Sequence, residues 1–277
     1  MLNRFFIEEH VKRALEEDIG FGDITTDYLT NEDDCMSCVL NTRVDGILCG
    51  REVFETVFKV LSDKVSVKFF FKDGDKIHKG DKVAEIEGPA RYVLMGERVA
   101  LNYIQRMSGI ATETNKYASA IRSYKAKIVD TRKTTPLFRA FEKYSVKTGG
   151  GSLHRFNLSD CAMIKDNHIK YAGSLTKAVE KLRENISHAH KIEVECDTFE
   201  QVKEAVSCKA DIIMLDNMSI DIMKECVEYI NGRAIVEASG NVNLDTVAGI
   251  ASTGVDIISS SAIVAKAPTL DLGLDSI

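Results

Sequence analysis

The sequence predicts an α/β protein, a small α+β layer followed by a β/α barrel of six or seven strands. Three observations carry this prediction. The first hundred or so residues mix short β-rich runs with amphipathic helices; from residue 127 strand and helix alternate; and strand candidates from Ile192 onward recur every 20–22 residues, the period of a β/α barrel. A doubly wound open sheet would also alternate. No Gly-x-Gly-x-x-Gly follows any strand, which weakens a dinucleotide-binding version of it.

The first element is a helix, because Ile7, Val11 and Leu15 stand at i, i+4 and i+8 and the Gly20-Phe21-Gly22-Asp23 turn ends the pattern. Short strands follow at residues 38–40, 65–71 and 83–86, punctuated by Asp45-Gly46 and Asp73-Gly74 turns, with a helix over residues 52–61. From Ala90 the pattern is helical through Leu94, Leu101 and Ile104 to Ile121. Ser108-Gly109 is expected to break it, which places the domain boundary near residue 108. The second half supplies strand candidates at residues 127–129, 162–164, 192–194, 212–215, 234–236 and 256–258, with one amphipathic helix in each later gap.

Composition narrows the function classes. With 277 residues, 44% hydrophobic and 28% charged, the chain can build a real core and is not disordered. No apolar run approaches the ~18–20 residues of a membrane helix, and the acidic N-terminus lacks a signal-peptide pattern, so a cytoplasmic protein is expected. Seven scattered cysteines read as reduced, small hydrophobes; Cys35-Met36-Ser37-Cys38 lacks the second pair that zinc needs. A net charge of −6 argues against a nucleic-acid partner. Inside this acidic chain, residues 130–170 hold eight Lys/Arg against four acids.

The catalytic groups of β/α barrels sit at the C-terminal ends of strands, and here those ends are unusually polar. The first two strands run into Asp130-Thr131-Arg132-Lys133 and Lys165-Asp166-Asn167-His168, the next two into Glu193-Val194-Glu195 and Asp216-Asn217, and the last two into Glu237-Ala238-Ser239-Gly240 and Ser259-Ser260-Ser261. Early strands thus give cations, middle ones carboxylates, and late ones hydroxyls and glycine. Arg132 and Arg155 offer planar forks for carboxylate or phosphate, and Lys133 and Lys165 compact charges. Glu195 and Asp216 are hard oxygen ligands suited to Mg²⁺, and the Ser239-Gly240 and Ser259-Ser260-Ser261 turns suit a phosphate. A phosphorylated sugar substrate with a metal fits this set. A Schiff-base aldolase using Lys165 or Lys133 and a ligand-binding sensor are the competing classes; the paired arginines fit the first poorly.

Longer motifs accompany these residues: Glu97-Arg98-Val99-Ala100-Leu101-Asn102, Gln105-Arg106-Met107-Ser108-Gly109, Asp130-Thr131-Arg132-Lys133-Thr134-Thr135-Pro136, Gly149-Gly150-Gly151, His154-Arg155, Ile164-Lys165-Asp166-Asn167-His168, Leu215-Asp216-Asn217 and Glu237-Ala238-Ser239-Gly240. In this order, over nearly the whole chain, they resemble the type II phosphoribosyltransferases, most closely those acting on quinolinate. The resemblance implies an N-terminal α/β sandwich (residues 1–108, joined by the tail 268–277) and an incomplete, seven-stranded β/α barrel (residues 109–267). It implies transfer from phosphoribosyl pyrophosphate to quinolinate with loss of CO₂, using Mg²⁺, to give nicotinate mononucleotide for NAD synthesis. Carried to matching positions, it puts Arg132, His154, Arg155 and Lys165 around the quinolinate carboxylates. Lys133, Glu195 and Asp216 would serve the phosphoribosyl pyrophosphate and its metal, with Ser239, Gly240 and Ser261 near a phosphate. Arg106 would enter a neighbouring subunit's site, implying a homodimer. Leu137, Asn241 and Ser261 depart from the family, which usually has glycine there.

Overall fold

In the computed structural model, which describes residues 2–277, the Asn3 side chain accepts the Phe5 amide and starts α1 (Arg4–Ile19), whose buried face is Ile7, Val11 and Leu15. Met1, the first residue of the expected N-terminal domain, lies outside the described residues. The chain continues through α2 (Ile24–Leu29), β1 (Cys35–Thr42), β2 (Gly46–Ile47), α3 (Arg51–Leu61), β3 (Ser66–Phe69), β4 (Lys76–Ile77) and β5 (Lys82–Pro89) into α4 (Ala90–Ala120). There follow β6 (Lys127–Val129), α5 (Arg139–Thr148), β7 (Ala162–Ile164), α6 (Asp166–Ala172), α7 (Leu175–Asn185), β8 (Ile192–Cys196), α8 (Phe199–Ser207) and β9 (Ile212–Asp216). The last elements are α9 (Ile220–Ile230), β10 (Ile235–Ser239), α10 (Val247–Ala251), β11 (Ile257–Ser259), α11 (Ala262–Ala265) and β12 (Leu272–Ser276).

Two units form. The first runs to Asn115 and takes in Ala140–Gly150 and the tail Ala267–Ile277; the second is Lys116–Arg139 with Gly151–Lys266. In the first, an antiparallel sheet of order β12-β1-β5-β3 is joined by the small β2-β4 pair, and α1 packs on α3. Phe54 and Phe58 of α3 are fully buried and meet edge to face at 5.3 Å. The tail pairs with β1 from Cys38 opposite Ser276 to Thr42 opposite Leu272.

The expected break at Ser108-Gly109 does not occur: α4 is one helix of 31 residues. Both residues are packing devices instead. The Ser108 hydroxyl accepts the Cys49 amide at 2.9 Å and donates to the Cys49 carbonyl at 3.1 Å. A Cβ on Gly109 would stand 1.9 Å from the Pro268 carbonyl oxygen, so only glycine lets the tail lie against the helix there. The boundary read at residue 108 therefore falls inside a continuous element.

The second unit is a parallel sheet of order β6-β11-β10-β9-β8-β7 with helices between successive strands, an incomplete barrel. Ser174, Thr198 and Ser219 cap α7, α8 and α9 with their hydroxyls, as strand-to-helix turns require. The sheet has six strands, within the six or seven that the strand-helix alternation predicts and one short of the seven that the resemblance implies. The seventh position is held by a single parallel bridge, Ser152 to Val129, because the chain beyond it leaves the ladder: the His154 amide donates to the Asp130 carboxylate at 2.9 Å. Among the described residues no helix is long and apolar enough to cross a membrane.

Candidate active site

Side chains alternate across a strand, so residues two apart on β8, β9 and β10 share the inner face. That rule stacks the site in two layers. The lower layer holds Glu193 and Glu237, both essentially fully buried; the upper layer holds Glu195, Asp216 and Ser239 at the strand ends. Above them opens a cavity of about 440 Å³, lined by Thr131, Arg132, Lys133, His154, Arg155, Met163, Lys165, Glu195, Met214, Asp216, Ser239 and Ser259. All lie in the second unit.

The cations come from loops held by their own hydrogen bonds. Arg139 ties the segment after β6 to the segment after Ser152, donating to the Thr134 hydroxyl and the Phe156 carbonyl, both at 3.0 Å. Arg155 donates to the Cys161 carbonyl at 2.7 Å. Burial, then the neighbouring Arg155 and Arg139 charges, lower the pKa of Arg132, the signature of cations gathered ahead of an anion. Lys165 precedes α6 and pairs with the Glu195 carboxylate.

Beneath the cavity, Nε2 of His154 faces Glu193 at 3.5 Å and Glu237 at 3.4 Å, while Nδ1 accepts the Arg155 amide at 2.7 Å. Burial opposes charge on the ring, but the two carboxylates outweigh it and raise its pKa to about 10. Burial also pushes the Glu193 carboxyl upward. His154 thus lines the cavity with its ring while directing its nitrogens to protein partners.

Two donor sets could hold a metal. One is the trio of His154, Glu193 and Glu237, whose ligand atoms lie within 4.8 Å of one another. The other is Glu195 with Asp216: Lys165 and the Asn217 amide each engage one oxygen of these carboxylates, and the second oxygen of each is open to a hard cation.

Of the residues singled out in the sequence, Arg132, Lys133, His154, Arg155, Lys165, Glu195, Asp216 and Ser239 line one cavity. Gly240 and Ser261 are not among the lining residues; Gly240 lies against Asn217, and Ser261 stands at the N-cap position of α11 without a side-chain capping bond. Arg106 is also absent from the lining. Its guanidinium donates to the Ala267 carbonyl at 2.7 Å and to Glu142 at 3.4 Å, within the first unit. Lys143 and Lys147 of the cationic stretch belong to α5, likewise in the first unit. Sequence reasoning gave no role to Thr131, Met163 or Met214, nor to Glu193 and Glu237 beneath the cavity, whereas Ser259 belongs to the Ser259-Ser260-Ser261 turn it read as a phosphate site. Counting back two residues from Asp216, Glu195 and Ser239 would have found Met214 and both glutamates.

Comparison with known proteins adds an independent finding. Residues 23–108 match the family model for the N-terminal domain of quinolinate phosphoribosyl transferase, and residues 110–275 match that for its C-terminal domain. A probable carboxylating nicotinate-nucleotide pyrophosphorylase of Bacillus subtilis is 40% identical over 275 residues, covering 99% of this chain and 92% of that one. A protein of the same description from Synechocystis is 42% identical over 271 residues, covering 97% and 92%. The solved nicotinate-nucleotide pyrophosphorylase of Francisella tularensis superposes with a TM-score of 0.95 at 38% identity, covering 100% of this chain and 98% of its own.

Proposed function

The chain belongs to the quinolinate phosphoribosyltransferase family, and we propose that the cavity above β7–β11 is where it carries out that family's reaction. The enzyme transfers the phosphoribosyl group of phosphoribosyl pyrophosphate to the ring nitrogen of quinolinate, giving nicotinate mononucleotide, pyrophosphate and CO₂. One observation supports the placement above all others. Four Lys/Arg cations, two carboxylates and three hydroxyls converge on a single cavity, and this is the complement of a dicarboxylate beside a metal-bound polyphosphate.

In this reading Arg132, Arg155 and Lys165 hold the two quinolinate carboxylates, and His154 fixes the floor beneath them. Their orientation places the ring nitrogen toward ribose C1. As pyrophosphate leaves, positive charge develops at C1 and the ring oxygen, where Glu195 and Asp216 stabilise it, and Lys133 offsets charge on the departing phosphates. Glu195 and Asp216 would also hold Mg²⁺, which when bound neutralises pyrophosphate charge. Once ribose is attached, the ring nitrogen is cationic and takes up the electron pair left at C2 as CO₂ departs; a proton then adds at C2. Little is asked of the protein in this step beyond holding the carboxylates still. Ser239 and the Gly240 and Ser261 turns sit toward the phosphates.

The working unit in this reading is a homodimer in which Arg106 reaches the partner's cavity. Seven free cysteines suit a reducing cytoplasm. The test is release of labelled CO₂ from carboxyl-labelled quinolinate, with phosphoribosyl pyrophosphate and Mg²⁺ each omitted in turn. Release that requires all three is expected. Release that survives omission of the sugar pyrophosphate would overturn the assignment.

A further inference from the structure

We infer that Asn241 is a positioning residue that holds Asp216 through the side chain of Asn217. The inference rests on the reading of Asp216 as a ligand of Mg²⁺ and phosphoribosyl pyrophosphate. Three contacts form a relay. The Asn241 side-chain amide donates to Asn217 Oδ1 at 3.0 Å, and Asn217 Nδ2 donates to Asp216 Oδ2 at 2.7 Å. The Asn217 backbone amide donates to the Ser239 carbonyl at 3.0 Å, which stitches the ends of β9 and β10 together.

The backbone shows that this arrangement is built. Asn217 and Asn241 both lie in the left-handed region, at φ 54 and φ 51, and asparagine is the side chain that tolerates that region best. Gly240 lies between the strand end and Asn241, and a Cβ there would fall 2.2 Å from Asn217 Oδ1. Only glycine leaves room for the Asn217 amide. With its oxygen engaged by Asn241, Asn217 must present its NH₂ to Asp216. One Asp216 oxygen is thereby held, on a side chain that lines the cavity. A glycine at 241 would keep the same backbone without strain but could not make the first contact.

The experiment compares Asn241→Gly, Asn217→Gly and their combination, since glycine accepts both backbone conformations. Calorimetric titration with phosphoribosyl pyrophosphate and Mg²⁺, without quinolinate, reads binding directly, and kinetics give each KM separately. Asn241→Gly is expected to weaken phosphoribosyl pyrophosphate binding and raise the Mg²⁺ needed for half-activation by about 2- to 10-fold, the scale of one net hydrogen bond. The KM for quinolinate and the Tm should hold. The double variant should bind no more weakly than Asn217→Gly alone, because the effect passes through Asn217. Binding within experimental error of the parent protein, or losses in the two single variants that multiply in the double, would overturn the inference. Asp216→Ala is the control that separates the two ideas. If it leaves Mg²⁺-dependent binding intact, the reading of Asp216 has failed, and the inference with it; if it abolishes binding while Asn241→Gly does nothing, the inference alone has failed.

Discussion

Arg132 and Arg155 line the cavity with Arg139 near Arg132, and the pKa of Arg132 falls through burial and through the charges of the other two. A bound dicarboxylate would relieve that repulsion while its own charges are desolvated. Removing one fork then costs both a charged hydrogen bond and part of the compensation for the buried carboxylate. Arg132→Ala is expected to lower kcat/KM for quinolinate by roughly 2–4 kcal/mol, about 30- to 1000-fold. Steady-state kinetics check this, and an unchanged value removes Arg132 from the site. Arg132 was legible because position alone marks it: a cation two residues past a strand-end aspartate has little structural use. His154 was legible as a site residue but its company was not. Glu193 and Glu237 come to it from strands about 40 and 80 residues away in sequence, and only the inner-face alternation of a closed-up sheet brings them under its ring. Asn241 was visible as a departure from glycine, yet its partner is 24 residues earlier, so its use could not be read.

The strands of the second unit were legible almost to the residue, because a strand buried on both faces leaves a short apolar run that turns and caps bound closely. The seventh strand was not, because nothing in Ser152-Leu153-His154 announces that the chain makes one bridge and then turns to Asp130. The loop after β6 shows how a departure can keep its geometry. The Phe138 amide donates to the Thr135 carbonyl, closing a turn with Pro136 and then Leu137 at φ 61, the position where a type II turn favours glycine. In α4, Ser108-Gly109 misled for a physical reason. Small residues mark a break in a solvent-facing helix, and here they mark close approach of another segment. The two meanings predict opposite signs for Gly109→Ala. As a mere weak point in a helix, the change would stabilise by about 1 kcal/mol. Against the Pro268 carbonyl, 1.9 Å from the new Cβ, it should destabilise by about 1–3 kcal/mol and loosen the tail. Urea unfolding decides between the signs, and a more stable variant would mean that the tail yields without cost.

At the scale of the whole molecule, the proposed homodimer gives Arg106, which is absent from the lining of its own chain's cavity, a testable use. Within its own chain the Arg106 guanidinium holds the Ala267 carbonyl and Glu142, and its side chain is 24% exposed. To serve a partner's cavity it would have to exchange these contacts for the partner's ligand, and symmetric dimers exchange such residues reciprocally. If Arg106 serves the partner's cavity, two inactive variants must rescue each other. In a mixed dimer of Arg106→Ala and Glu195→Ala, one cavity combines an intact Glu195 with the partner's intact arginine, and the other lacks both. Random reassortment makes half of all dimers mixed, each with one working site, so activity should recover to about a quarter of the parent value. The mixing must pass through dissociation, for example by mild denaturant and refolding, with dimer mass checked by light scattering and each variant's Tm measured. Recovery near that fraction requires that the arginine act across the interface. Activity no greater than the sum of the separate variants would return Arg106 to its own chain, as the residue that fixes Ala267 and Glu142.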